Sequence, residues 1–268
     1  MIHICATCGT SFPDSPAPPR RCLVCEDERQ YVPRSGQAWT TPKGLAARHV
    51  NAWRQLEPNL LEIHTEPQFA IGQRALLLTT PNGNILWDCL SLIDEATVAL
   101  VRALGGIKAV AISHPHYYSC MQDWASAFGA HVYLHAADRE WVMRSDPAIR
   151  FWDGDEFKLA DGVTLLRLGG HFAGAAVLHW RDGAEGRGAL FSGDTVQVAP
   201  HPQKVSFLWS YPNMMPLPSS TIRRIAAQLE PWPFERIYGA FAGRQVTDNG
   251  HAVVQQCAAR YIELLEGR

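Results

Sequence analysis

The sequence predicts an α/β fold with a small cysteine-rich module at its amino terminus, and three observations support this prediction. Short apolar runs typical of strands alternate with segments whose apolar residues recur at helical spacing. Four cysteines occur as two C-x-x-C pairs within the first 25 residues. The chain has 268 residues, of which 47% are hydrophobic, so it can bury one large core and still fold a small appendage.

The charge balance argues against polyanionic partners. The chain has 24 basic and 26 acidic residues and a formal charge of -2, which leaves no overall field to attract nucleic acid or anionic lipid. The amino terminus, MIHICATCGT, lacks the features of a secretory signal. No run approaches the ~20 apolar residues of a membrane span. We therefore expect a cytoplasmic protein without nucleic-acid or membrane partners.

The amino-terminal module, residues 1–34, contains the cysteine pairs CATC and CLVC. Each pair can place two thiolates on one tetrahedral ion, and cytosolic thiols stay reduced. The sequence therefore predicts a structural zinc knuckle with four protein ligands and no position for substrate, formed by Cys5, Cys8, Cys22 and Cys25. Disulfides, unrelated thiols and iron in a rubredoxin-like site are the alternatives. Four arginines balance four acidic residues in the module, which favours structural support over nucleic-acid binding.

The first elements after the module are a hairpin, a helix and a strand. The segment RALLLTTPNGNILWDCL predicts a β-hairpin that turns at Asn82-Gly83, because this pair suits a turn with positive φ. A helix is expected to begin after Asp94, which suits the N-cap position, and to stop at Gly105. The apolar run from Ile107 to Ile112 predicts the next strand.

The alternation of helices and strands continues toward the carboxyl terminus. A second helix, with Met121, Trp124, Ala125 and Phe128 on its apolar face, is expected to close at Gly129. The following strands are predicted in HVYLH, VTLLRL, AAVLHW, GALFSGD and FERIYG, and further helices in SSTIRRIAAQLE and from Val253 to Leu265. Strands in two batches with helices after each predict sheets packed between helical layers.

Potential metal ligands follow four of the apolar runs. They are Asp88 in LWDC, His114 and His116 in SHPHYY, His171 in GGHFAG and Asp194 in FSGDT. Side chains at strand ends of α/β proteins converge on one edge, where active sites collect. Three imidazoles and one carboxylate suit Zn, Mn or Fe(II). His-x-His is the most specific signal, because one loop can aim both rings at one ion, whereas His64, His131 and His251 are expected to be ordinary surface or core residues.

The order of these residues resembles the ordered motifs of the metallo-β-lactamase superfamily, αββα sandwich hydrolases that include glyoxalase II and many lactonases. The resemblance implies a domain of this fold over residues 66–268, with residues 35–65 as a linker and packing segment. It also implies that His114, His116 and His171 form the first metal site. By the same resemblance, Asp194 is the bridging carboxylate and Asp88 helps to orient the histidine loop.

The chain departs from the superfamily pattern H-x-H-x-D-H. Tyr118 and Ser119 stand where the Asp and His of the second metal site would be. The last histidine of the pattern falls near IYGAFAG, where Ala240 and Phe241 offer no ligand. The sequence therefore predicts a mononuclear site of three histidines and Asp194, with zinc as the expected ion and Mn or Fe as alternatives.

One divalent ion with an open position can activate water and polarise a carbonyl. We therefore expect a hydrolase of a small ester, lactone or thioester, with Asp194 as the base if it tilts off the metal. Tyr118 is neutral at a reference pKa of ~10, so it can donate a hydrogen bond to an oxyanion but cannot act as a carboxylate base. The alternative is a non-catalytic protein of the same fold that binds a small molecule or a protein partner. A nuclease is disfavoured by the charge balance.

Two further histidines are candidates for the pocket. His201 in APHPQK could replace the histidine absent from the last motif, although loop histidines usually face solvent. His135 in YLHAAD could line the pocket, but packing or a backbone hydrogen bond explains it equally well.

Overall fold

In a computed structural model, which describes residues 1–267, the chain forms two compact units. The first unit consists of residues 1–134 and 138–151, and the second of residues 135–137 and 152–267. Each unit combines sheets with helices, as the sequence predicts. No described helix combines the length and apolarity that crossing a bilayer requires.

The amino-terminal module is built on a three-stranded antiparallel sheet in the first unit. Residues 1–34 supply β1 (His3–Cys5), β2 (Ser11–Phe12) and α1 (Leu23–Glu26), and β3 (Trp39–Thr40), from the segment that follows, completes the sheet. The interior consists of the four cysteines, Val24 and Phe12, whose ring meets Trp39 edge-on at 5.1 Å between centroids. This small number of apolar side chains is not enough to stabilise a fold alone. The module therefore depends on its cysteines and on neighbouring residues of the unit.

The main sheet of the first unit has seven strands. In chain order the elements are α2 (Pro42–Ala46), β4 (Val50–Glu57), β5 (Leu60–Glu66), β6 (Arg74–Leu78), β7 (Ile85–Trp87), α3 (Glu95–Ala103), β8 (Ala109–Ala111), α4 (Met121–Phe128), β9 (His131–His135) and β10 (Ile149–Trp152). Strands β4 to β7 are antiparallel neighbours, and β7, β8 and β9 are parallel. The parallel pairs need crossover connections, which α3 and α4 supply.

The predicted hairpin and both predicted helices of this unit are confirmed. Strands β6 and β7 pair as expected. Asp94 caps α3, where its side chain accepts a hydrogen bond from the backbone N–H of Thr97 at 2.7 Å. Helix α4 ends at Gly129, which adopts the left-handed conformation with φ of 67°. The local signals were therefore sufficient for these elements.

The segment 35–65, interpreted from the sequence as a linker, contains β3, α2 and two strands of the seven-stranded sheet. Strand β4 forms one edge of that sheet, where a polar, exposed strand is tolerated, so it lacks a clear apolar signal. In β5 the buried Glu62 pairs with the buried guanidinium of Arg74 on β6. Glu62 is thus a charged residue at a buried position where the pattern of a strand predicts an apolar residue.

The second unit contains a six-stranded sheet in the order β11-β12-β13-β14-β19-β20. In chain order its elements are β11 (Glu156–Ala160), β12 (Val163–Arg167), β13 (Ala176–Trp180), α5 (Gly183–Gly186), β14 (Ala189–Gly193), β15 (Gln197–Val198), β16 (Val205–Ser206), β17 (Leu208–Ser210), β18 (Met215–Pro216), α6 (Ser219–Leu229), β19 (Arg236–Gly239), β20 (Gln245–Val246) and α7 (Gly250–Leu265). The predicted strands and both long helices are present. Val177, Leu190, Ile225 and Val254 are fully buried in one core formed by the sheet and these helices.

Replacing Asp94 with alanine is expected to lower the free energy of unfolding by about 1 kcal/mol, because the N–H of Thr97 loses its cap. Asp94→Asn keeps an acceptor oxygen and should remain close to wild type. Urea unfolding of the metal-loaded proteins measures both. Equal stability of the alanine and asparagine variants would contradict a capping role.

Candidate metal centres

The four cysteines of the module lie together with a spacing that fits a tetrahedral ion. Their Sγ atoms are all within 4.8 Å of one another, and the closest contacts, Cys5 to Cys25 and Cys8 to Cys22, are 3.6 Å. A zinc ion with Zn–S bonds of about 2.3 Å places its sulfurs about 3.8 Å apart. All four cysteines are buried and free of disulfides, so the predicted clustering is confirmed and the disulfide alternative is wrong.

The ionisation of these thiols also fits a bound cation. Hydrogen bonds from Cys22, Cys25 and Cys8 lower the pKa of Cys5, while hydrogen bonding to Cys22, Cys25 and Cys5 raises the pKa of Cys8. One thiolate in the cluster therefore disfavours others, and a divalent cation relieves this repulsion. Gln37 donates from Nε2 to the Sγ of Cys5 at 3.0 Å, which supports the thiolate form of Cys5.

The histidine pair of the first unit lies directly after β8. Residues Pro115–Tyr117 form one turn of 3₁₀ helix, and Pro115 at its first position suits the fixed φ of proline. The rings of His114 and His116 are 5.2 Å apart between centroids, and both side chains are buried. A short turn thus holds two imidazoles close together.

A hydrogen-bonded chain from Asp88 orients the first histidine. The backbone N–H and the hydroxyl of Ser113 donate to Oδ1 of Asp88 at 2.8 and 2.7 Å. Since the hydroxyl proton points to the carboxylate, Oγ of Ser113 accepts from Nδ1–H of His114 at 2.9 Å. The ring then carries its lone pair on Nε2, the tautomer that a metal ligand needs. Asp88 was expected to help orient the histidine loop, and this hydrogen-bonded chain is the contact that such a role requires.

The second unit contributes His171 and Asp194, both buried. Nδ1 of His171 lies 2.8 Å from the carbonyl oxygen of Trp209. A carbonyl only accepts, so Nδ1 carries the proton and Nε2 again carries the lone pair. Asp194 follows β14, and its Oδ1 accepts from Nε2 of Gln197 at 3.3 Å. His171 therefore has the tautomer of a metal ligand, and the carboxylate of Asp194 is supported by a neighbouring amide.

The described residues contain two groups of potential metal ligands. One is the cysteine cluster, and the other is the predicted histidine set, of which His114 and His116 lie in the first unit and His171 and Asp194 in the second. None of the histidines expected to be ordinary surface or core residues belongs to either group.

Of the other predicted site residues, Tyr118 is buried and His201 is exposed. Tyr118 is buried, and burial followed by the charge of Asp138 raises its pKa well above the usual value, so its hydroxyl is a neutral donor. His201 is exposed, and its Nδ1 accepts from the backbone N–H of Gln203 at 3.1 Å. It therefore matches the solvent-facing alternative and belongs to neither ligand group.

His135 has a structural role. Its Nδ1 accepts from the N–H of Ala137 at 3.1 Å, and its Nε2 donates to the carbonyl of Gly154 at 3.0 Å. Burial lowers the pKa of this ring, which favours the neutral form that these two bonds require. The backbone hydrogen-bond interpretation of His135 is thus confirmed.

Sequence reasoning missed three supporting groups. Ser113 was visible as the residue before the histidine pair. The carbonyl of Trp209 and the hydroxyl of Tyr211, which donates to the backbone oxygen of Asp194 at 2.6 Å, had no signal. Contacts to backbone atoms across long sequence separations leave no spacing pattern.

Comparison with known proteins decides the family. The model of the metallo-β-lactamase superfamily matches residues 71–230. The chain belongs to the metallo-β-lactamase superfamily. Its members are generally metal-dependent hydrolases. The match covers both histidine-bearing segments and Asp194, so the resemblance expected from the motifs is confirmed.

A relative of this superfamily member from Bacillus subtilis (strain 168), the uncharacterized protein YmaE, is 46% identical over 265 residues, covering 98% of this chain and 96% of the relative. The crystal structure of VMB-1 matches with a TM-score of 0.60 at 14% identity, covering 81% of this chain and 98% of that one. A metallo-β-lactamase from Cronobacter sakazakii matches with a TM-score of 0.53 at 20% identity, covering 80% and 95%. The predicted metallo-β-lactamase fold is therefore confirmed.

Replacing Cys5 and Cys22 with serine is expected to lower the zinc content by one ion per chain, because the cluster loses a ligand from each pair. Metal analysis of the purified protein measures this. Cys257→Ser is the matched control, since Cys257 is buried but lies outside the cluster. Unchanged zinc content in the double variant would show that the cysteines do not hold the ion.

Proposed function

We propose that this superfamily member is a mononuclear metal-dependent hydrolase of small esters, lactones or thioesters. His114, His116, His171 and Asp194 would bind its ion, for which zinc is the expected metal and Mn or Fe are alternatives. The observation that supports this most is the tautomer of two rings: Nδ1 of His114 and of His171 is hydrogen bonded, so each presents Nε2 as a ligand.

The two positions of the second metal site support a single ion. Tyr118 supplies a buried neutral phenol in place of a carboxylate. Ser119 supplies a hydroxyl in place of an imidazole, and that hydroxyl accepts a hydrogen bond from Nε2 of Gln73 at 3.0 Å. Neither side chain is a typical ligand for zinc.

The chemistry follows from the side chains around the proposed ion. When bound, a divalent ion supplies Lewis-acid polarisation of a carbonyl and makes water a better nucleophile. Asp194 would accept a proton from the attacking water, with its main chain held by the hydroxyl of Tyr211. Tyr118 would donate a hydrogen bond to the oxyanion, a role open to it because its raised pKa keeps the proton on the hydroxyl.

A non-catalytic binding protein is the second candidate. The observation that favours it is the replacement of the carboxylate that normally orients water by Tyr118, which cannot act as a base. In that case the metal, or the pocket itself, would bind a small molecule or stabilise a protein contact without turnover.

The number of metal ions bound per chain tests whether the histidine site binds an ion. The wild type is expected to bind two ions per chain, one at the cysteines and one at the histidines. His116→Ala should bind one, while His131→Ala, a substitution at an exposed histidine outside both ligand groups, should keep two. A wild type with a single ion that disappears in the Cys5→Ser, Cys22→Ser variant would contradict the histidine site.

Hydrolysis assays then separate the enzyme from the binding protein. With a panel of small esters, lactones and thioesters, His116→Ala is expected to lower kcat/KM by more than about 100-fold, because ligand loss exceeds the effect of losing a supporting contact. His131→Ala should retain wild-type rates. Two bound ions without turnover of any panel member would favour the non-catalytic candidate, and activity that survives His116→Ala would contradict the proposed site.

A further inference from the structure

We propose that the cysteine module positions the histidine loop, defined as residues 113–119. The metal-loaded module would hold Ser119 in place and thereby set the geometry of His116, three residues earlier. The part of this inference that concerns metal affinity rests on the proposed function. The module and the loop both lie in the first unit.

The main contact joins Ser11 of β2 to Ser119. The carbonyl oxygen of Ser119 accepts from the backbone N–H of Ser11 at 3.0 Å and from its hydroxyl at 2.9 Å. Both serines are buried, with 2% of each exposed. Two donors from one residue therefore fix one carbonyl away from water, where hydrogen bonds are hard to exchange for solvent.

The conformation of Ser119 requires such support. Its φ is +41°, in the left-handed region that residues with a side chain rarely adopt. Strained residues of this kind persist only where neighbouring groups determine their position. Besides Ser11, Gln73 holds Ser119 by donating from Nε2 to its hydroxyl at 3.0 Å. Releasing the module would remove two of these three hydrogen bonds.

Ser119 lies between the 3₁₀ turn that carries His116 and helix α4. The 3₁₀ turn before it is closed by the N–H of Tyr118, which donates to Pro115, and helix α4 begins two residues after it. A change in the backbone of Ser119 therefore acts directly on the turn that carries His116. This is the path from the module to the metal ligand.

A second contact joins the module to the rest of the first unit, at the turn that carries Cys5 and Cys8. Gly9 follows Cys8, and its N–H donates to the carbonyl of Cys5 at 2.9 Å. Its own carbonyl accepts from the hydroxyl of Ser91 at 2.8 Å. A Cβ on Gly9 would lie 2.4 Å from Oγ of Ser91, which real Cβ atoms do not tolerate. The turn that holds two sulfurs is thus packed directly against the segment that follows Asp88.

Metal loading connects these contacts to the cysteines. Apart from its cysteines, the buried cluster of the module contains only Phe12 and Val24 among the described residues, so we expect metal binding and folding of the module to be coupled. Loss of that ion would release both Ser11 and Gly9 from their partners. A module that served only as an independent appendage would leave the histidine loop unchanged.

The test compares two glycine substitutions in the module region. Gly9→Ala introduces the collision with Ser91, whereas Gly36→Ala meets nothing within 4 Å, and the two sites share a positive φ of +82° and +86°. In zinc-loaded protein, amide exchange of residues 113–119 is expected to be at least about 10-fold faster in Gly9→Ala than in Gly36→Ala. Equal exchange in the two variants would overturn the proposal.

A gentler pair covers the case in which Gly9→Ala does not fold or does not load its cysteines. Ser11→Ala keeps the backbone bond to Ser119 and removes the hydroxyl, which bonds the carbonyl of Ser119 and the thiol of the adjacent Cys120. Ser15→Ala removes a hydroxyl whose bond stays local, to Ala17. Faster exchange of the histidine loop in Ser11→Ala alone supports the proposal. The same exchange in both serine variants refutes it, whatever the glycine variants do.

Metal affinity gives the second readout. Competition with a chelator is expected to show about 10-fold weaker binding of the histidine-site ion in Ser11→Ala, the effect typical of losing a supporting contact, with no change in Ser15→Ala. Equal affinities in the two variants would count against the proposal. If the wild type binds no ion at the histidines, the proposed function fails, and amide exchange still decides whether the module positions the loop.

Discussion

A buried imidazole that binds a metal must present a lone pair on one nitrogen, and its other nitrogen must donate to a fixed acceptor. This constraint governs the surroundings of the candidate ligands. On the first unit it is met by the carboxylate of Asp88 acting through Ser113, and on the second by the carbonyl of Trp209. Asp88 itself has a φ of +60°, a strained value for a residue with a side chain.

The cysteine cluster is subject to a related electrostatic constraint, which concerns the ionisation of its four thiols. Four thiols within 4.8 Å cannot all ionise without a cation, so charge neutralisation determines whether the module has a stable interior. No apolar core of ordinary size can replace this contribution, because Phe12 and Val24 are the only non-cysteine members of the buried cluster within the described residues. An ion bound by the four cysteines would therefore stabilise the module and, on our proposal, its contacts with Ser91 and Ser119.

Much of the fold could be predicted from the sequence, because several elements carry local signals. Asn82-Gly83, Asp94 and Gly129 specify a turn, a cap and a helix end through their own backbone preferences. Strands β4, β10 and β11 were missed, and these lie at sheet edges where polar residues are tolerated. Strand β5 was hidden by the buried pair of Glu62 and Arg74, which replaces apolar residues with charges that satisfy each other.

The candidate site, like the fold, could be predicted from the sequence only in part. Its ligands stand at recognisable spacings after apolar runs, so their residue types were enough to nominate them. The groups that hold the ligands were harder to foresee. A serine hydroxyl beside His114 has some local signal, whereas the carbonyl of Trp209 can be matched to His171 only once the chain has folded.

The bond between Gln73 and Ser119 has a consequence for protein engineering. Writing the family's aspartate and histidine back into positions 118 and 119 would not by itself create a two-metal enzyme. An imidazole at position 119 would remove the hydroxyl that Nε2 of Gln73 now bonds at 3.0 Å, and would leave that buried amide without this partner. A design for a two-metal enzyme would therefore have to change Gln73 together with positions 118 and 119, while keeping the bonds that Ser11 makes to the backbone at position 119.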